Sequence, residues 1–261
     1  MTTLTMTALG VAAGLHGALY GAYKDSPHES FRWRRFMREI GFALATTCLL
    51  AGFGASASRQ SAFTIYLSVF ALTRIVTEFW KLFVRIEPQD GFRIPTQIHC
   101  VVGVVHNPIL RLLLGIGFIA SIYGCYAGFT LIPDTVPIAL RGLLVGLGIG
   151  TAEAIAGAYK DGTIEGFSWV KFLKSPSFGI IGGLIASGHT THVAFLLLAT
   201  IGSMRMFLEL LFKMLVSNYT PGKFRALTGP FSDWYRLRQH FVVPYAATWL
   251  LYLLLCSHPN W

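Results

Sequence analysis

The segments Gly17–Phe36, GALYGAYKDSPHESFRWRRF, and Glu153–Phe172, EAIAGAYKDGTIEGFSWVKF, share the pentapeptide GAYKD and lie 136 positions apart. Each starts as an apolar run rich in small residues, reaches Lys-Asp, and passes into aromatic and basic residues. At this offset residues 9–36 contain 12 identities in 28 positions, among them Gly10/Gly146, Gly14/Gly150, Glu29/Glu165, Phe31/Phe167, Trp33/Trp169 and Phe36/Phe172. Two unrelated apolar helices share hydrophobicity but not a matching Lys, Asp, Glu and Trp, so the match reads as an internal duplication.

Working outward, Phe42 falls on Phe178, Gly52 on Gly188 and Pro108 on Pro244 at the same offset. After a five-residue shift Arg74-x-x-x-Glu78 falls on Arg205-x-x-x-Glu209. The expected organisation is two tandem four-helix repeats, residues 1–132 and 133–261, forming one compact membrane domain. With an even number of spans in each, both have the same orientation and are related by a pseudo-two-fold axis along the membrane normal.

The class follows from composition. A mean hydropathy of +0.57, with 54% hydrophobic and only 13% charged residues, describes a chain that belongs in a bilayer. Runs near the ~20 residues needed to cross hydrocarbon fall at Thr2–Tyr23, Met37–Ala57, Ala62–Val84, Ile98–Phe129, Val136–Tyr159, Phe172–Ser187, His192–Val216 and Gln239–Cys256. The expected fold is therefore an all-α integral membrane protein of about eight transmembrane helices. The first run has no basic n-region or clear cleavage site and reads as a retained helix rather than a signal peptide.

The net charge of +9 is arranged asymmetrically. If the spans alternate, Lys24, Arg32, Arg34, Arg35, Arg38, Arg85, Arg93, Lys160, Lys171, Lys174, Lys223, Arg225, Arg236 and Arg238 share one side, and Arg59 stands alone in the opposite loops. That positive-inside pattern places the basic loops in the cytoplasm and both termini on the other side. It suits anionic lipid headgroups as partners, alongside other membrane proteins, and gives no reason to invoke nucleic acid.

Within this frame, Gly10, Gly14, Gly17 and Gly21 of the first helix, and Gly142, Gly146, Gly150 and Ala154 of the fifth, form small-residue strips that permit close backbone approach. They place the first and fifth helices at the centre. Phe31, Trp33 and Phe36, with Arg34, Arg35 and Arg38, read as an interfacial anchor reaching lipid phosphate, and Lys171 and Lys174 repeat the basic part.

Asp25 and Asp161 are candidates to cap the following helical segments, with Glu29 and Glu165 in their first turns. The alternative makes Lys24, Asp25, Glu29, Lys160, Asp161 and Glu165 paired cytoplasmic sites for a ligand or proton.

Arg74, Glu78, Arg205 and Glu209 carry the strongest functional signal. Each pair is spaced i,i+4 on one helical face, close enough for a salt bridge. Each charge costs roughly 2.5–3.5 kcal/mol at mid-membrane on insertion scales, so such groups face protein or a watery path.

His189-x-x-His192 lacks a third ligand and reads as a polar external turn, not a metal site. His16, His99 and His106 read as hydrogen-bonded histidines. Cys48, Cys100, Cys125 and Cys256 show no paired spacing, and no cofactor is indicated.

Walker A, H-E-x-x-H, G-x-S-x-G and paired Asp-rich magnesium motifs are missing, so an enzyme is the less favoured class. The leading expectation is a small transporter or channel-like protein for an anionic solute or lipid headgroup. Its path would run between the repeats, with the two Arg/Glu pairs as gates or substrate contacts. A non-catalytic scaffold subunit of a larger membrane complex, and an enzyme acting on lipid phosphate, are the alternatives.

Overall fold

A computed structural model describes residues 1–25, 31–90, 92, 94–100, 103–209 and 238–258, with the backbone alone at Ala55, Cys100, Asp161, Thr163, Arg238 and Gln239. The described chain is helical apart from one short antiparallel hairpin. Its elements are α1 (Thr3–Asp25), α2 (Trp33–Ala51), the single turn α3 (Ala55–Ser58) and α4 (Ala62–Phe79), which continues as a π-helical turn over Trp80–Val84. The hairpin β1 (His99–Cys100) and β2 (Gly103–Val104) follows, then α5 (Pro108–Thr130), α6 (Ile138–Glu165), α7 (Trp169–Ser187), α8 (Val193–Leu208) and α9 (Val242–Ser257).

Helix starts follow local chemistry. The Ser61 side chain accepts the Thr64 N–H at the start of α4. Asn107 accepts from Ile109 and Leu110 ahead of Pro108 in α5. These acceptors satisfy donors that a first helical turn leaves open. Two boundaries differ from expectation. The long fourth run is divided, because His99 and Cys100 pair with Val104 and Gly103 and helix begins only at the Asn107-Pro108 signal. The fifth helix runs on to Glu165 and stops at Gly166, whose φ of 78° suits glycine.

Three helical stretches, Ala62–Val84, Pro108–Thr130 and Ile138–Lys160, are long and apolar enough to cross a membrane. Their setting agrees: α5 leaves Ile109, Leu112, Leu113, Ile116 and Tyr123 exposed, surface that water would penalise at about 25 cal/mol per Å².

At the centre lie α4 and α8, not the first and fifth helices. They pack on each other in parallel, with the Leu67 carbonyl seated on Gly202. Phe63, Ile65, Tyr66, Leu67 and Phe70 of α4 and Leu196 and Ala199 of α8 are almost fully buried there.

The glycine strips serve a different purpose. Those of α1 pack on α2, with Gly10 against Thr47 and Gly14 against Ala43 and Ile40. Those of α6 pack on α7, where Gly142 meets Gly183, Gly146 meets Gly179 and Gly150 meets Ser175 and Pro176. Gly10 and Gly14, and Gly142, Gly146 and Gly150, thus join each helix to its sequence neighbour, while Gly17 faces α4 and Gly21 open space.

Candidate functional site

Arg74 projects from α4 into a space bounded by α1, α2 and α8. Gly17 on α1 borders that space: a Cβ there would lie 3.4 Å from the guanidinium. Arg74 lies over the rings of Phe70 and Tyr20, at 5.2 and 5.7 Å from their centroids. Its Nη2 is 3.3 Å from a Glu209 oxygen, its Nη1 is 3.7 Å from Glu39 Oε2, and Nη2 also reaches the Gly17 carbonyl at 3.5 Å. Glu39 in turn accepts a hydrogen bond from Thr77 at 3.1 Å and lies 3.9 Å from Arg38.

The second arginine is less enclosed and pairs with a different acid. Arg205 of α8 pairs at 3.0 Å with Glu153 of α6. Glu78 of α4 is held by Lys81 at 3.0 Å and feels the field of Arg205.

The i,i+4 spacing therefore does not choose the partners. Arg74 leaves Glu78 for Glu209 and Glu39, and Arg205 leaves Glu209 for Glu153. The four charged residues do gather at one end of the α4–α8 contact, joined by Glu39 and Glu153. Sequence reasoning missed both acids: Glu39 is masked by its basic neighbours, and Glu153 lies 136 positions after a glycine, Gly17.

This last correspondence is informative. Gly17 and Glu153 are 136 positions apart, and so are Glu39 and Ser175. Each arginine thus receives one carboxylate from the two helices that precede its own, from the second helix at Arg74 and from the first at Arg205. In each case the guanidinium finds a carboxylate on a helix packed against its own.

The remaining expected residues lie nearer the ends of the helices. Lys24 pairs with Asp25 at 3.2 Å, and Lys171 with Glu165 at 2.6 Å. Lys160 contributes to the field at Glu78. Capping by the two aspartates does not occur at α2 or α7: the first has Arg32 at its N-cap without a side-chain bond, and the second is capped by Ser168. Glu29 and the Asp161 side chain lie outside the described residues.

Among the basic residues, Arg34 is exposed, Arg35 pairs with Glu87 at 3.3 Å and Lys174 is half-buried. Beside them Phe31, Trp33 and Phe36 cluster with centroids 5.5–6.0 Å apart, and Phe167, Trp169 and Phe172 do so at 5.0–6.1 Å.

His16 is fully buried and hydrogen-bonded through Nδ1 to the Tyr66 hydroxyl at 3.1 Å. His189 lies in the turn after α7 and His192 at the N-cap of α8, so the two do not share a helical face.

Chemically, the Arg74 centre is a charge lock. A guanidinium stays protonated in proteins and presents a fixed fork of donors; here two carboxylates from distant parts of the chain occupy it. Comparison of the chain with family models, curated proteins and solved structures finds no match.

Proposed function

We propose that this chain is a small multi-pass membrane transporter or channel-like protein for an anionic solute. Its eight spans would form two tandem four-helix repeats, 1–132 and 133–261, with a path along their interface and the Arg74/Glu209 centre as its gate. The termini lie on the non-cytoplasmic side, and the basic loops, with Arg34, Arg35, Arg38, Lys171 and Lys174, meet anionic headgroups at the cytoplasmic surface.

The observation that carries this reading is the ion pair between Arg74 of the first repeat and Glu209 of the second, at 3.3 Å on the central pair of helices. Buried charges are costly in a membrane and cluster where function needs them. This pair spans the line along which two parallel repeats would rock. Because two acids hold Arg74, the guanidinium acts as a latch rather than as a free anion receptor. Matching packing supports the repeat reading: Gly14 on Glu39-Ile40 and Gly150 on Ser175-Pro176 are contacts between positions 136 apart.

The test is flux of a panel of labelled anions, including chloride, sulfate, phosphate and short carboxylates, in proteoliposomes. The protein should carry at least one faster than empty vesicles, and Glu209→Gln should change that rate while the variant stays folded. No flux above background for any anion, or a rate unaltered by Glu209→Gln and Arg74→Gln, overturns the proposal.

A further inference from the structure

The central helices α4 and α8 begin side by side at the end of the bundle opposite the Arg74 centre. A hollow opens there between the α3 turn and the turn joining α7 to α8, and Arg59, Gln60, Ser56, Thr191 and His192 are among its lining residues. Its nine lining residues include no acid and no large apolar side chain.

The walls are tied together before any ligand arrives. Thr190 donates to Gln60 Oε1 at 2.6 Å, Gln60 Nε2 donates to the Ser56 carbonyl at 3.0 Å, and the His192 N–H is accepted by Thr190 Oγ1 at 3.2 Å. These bonds commit Gln60 and Thr190 and hold the two turns at a fixed spacing. The Arg59 guanidinium, by contrast, has no salt bridge or side-chain hydrogen bond within the described protein. It is also the one lysine or arginine that the sequence reading places in the loops on this side.

His189 packs against Phe63 with centroids 4.3 Å apart. That burial pushes its imidazole below the ordinary histidine range, so the fixed charge of the hollow comes from Arg59. The start of α8 adds a favourable dipole without a capping side chain in the way.

We propose that this hollow binds a small free oxyanion, of the sulfate, phosphate or carboxylate class, with Arg59 as its charged receptor and His192, Ser56 and Thr191 as hydrogen-bonding partners. A planar guanidinium matches two oxygens of such a group at once. Apart from Gly188, every lining residue carries a polar group that a free ion could engage. The adjoining hollow, which shares Arg59 and Gln60, does have apolar walls in Leu9 and Leu255, so a lipid phosphate is the competing source of the same chemistry. The role of this site as the mouth of a path rests on the transport reading; binding itself does not. Between the mouth and Arg74, the close crossing of Leu67 and Gly202 closes the way in this structure.

The experiment is calorimetric titration of the full-length protein, in nanodiscs of zwitterionic lipid, with inorganic sulfate, inorganic phosphate and, separately, short-chain phosphatidic acid. Saturable binding of sulfate or phosphate in about the millimolar range, weakened at least tenfold in Arg59→Gln and less in Arg59→Lys, supports the site. Both variants should keep the wild-type melting profile; if Arg59→Gln does not, Thr191→Val serves as the second probe and should weaken binding severalfold.

Equal binding by wild type and a folded Arg59→Gln, or no saturable binding of either inorganic ion, overturns the proposal. Arg59-dependent binding of phosphatidic acid alone also overturns it, by assigning the site to lipid. Binding without any transport leaves this site standing and counts only against the transport reading.

Discussion

The Arg74 guanidinium lies between two carboxylates 170 positions apart in the chain, Glu39 at 3.7 Å and Glu209 at 3.3 Å. One arginine thereby joins α2, α4 and α8. Its attraction to the acids offsets a desolvation cost that neither partner could bear alone.

Removing one member of a buried ion pair typically costs about 3–5 kcal/mol, because the partner charge stays buried and uncompensated. Arg74→Met is therefore expected to destabilise the protein by about that much, and adding Glu39→Gln and Glu209→Gln to recover most of the loss. Exposed Arg34→Ala should change stability little. Thermal unfolding in one detergent, compared across the three variants and the wild type, checks this; equal melting of Arg74→Met and Arg34→Ala would count decisively against a lock.

The exchanged acids give a sharper test of the duplication. If Gly17/Glu153 and Glu39/Ser175 are corresponding positions, the first arginine should accept a carboxylate from α1, as the second does from α6. Glu39→Ser alone is expected to lower stability and weaken the α2–α4 contact. Glu39→Ser with Gly17→Glu is expected to regain part of it, measured as melting temperature. A double variant worse than either single change would argue that the two environments are unrelated.

The helical class was legible because apolar helices leave coarse marks: apolar length, Gly spacing, and charges that are rare enough to notice. Arg74 and Glu209 stood out for this reason. Their partnership did not, since spacing along one helix says nothing about which facing helix supplies the counter-charge. The same limit explains the misplaced centre. Gly146 and Gly150 announce a close approach, but only the three-dimensional packing shows that the approach is to α7. Glu39 was hidden by Arg35 and Arg38 because an acid among bases reads as an exposed pair.

Glycine substitutions should separate contact from mere composition. A methyl group at Gly146 would run into the Gly179 backbone, which cannot move without parting α6 from α7, whereas Gly157 faces open space. Gly146→Ala is expected to destabilise clearly. Gly157→Ala, within the GAYKD repeat itself, should be neutral or stabilising by about 0.4–1 kcal/mol through a less flexible unfolded chain. Unfolding midpoints of the two variants decide it, and similar losses at both positions would contradict the packing described.

Titration of His189 supplies a pH dependence whose sign follows from its setting. Burial against Phe63 lowers its affinity for a proton in the folded state. Above about pH 6.5 the imidazole is neutral both folded and unfolded, and its contribution is constant. As pH falls below that point the unfolded chain takes up the proton first, so folding is progressively disfavoured. The wild type is therefore expected to lose more thermal stability between neutral and mildly acidic pH than His189→Gln, which cannot titrate there. Parallel pH profiles for the two proteins would show that the turn between α7 and α8 does not hold this imidazole neutral.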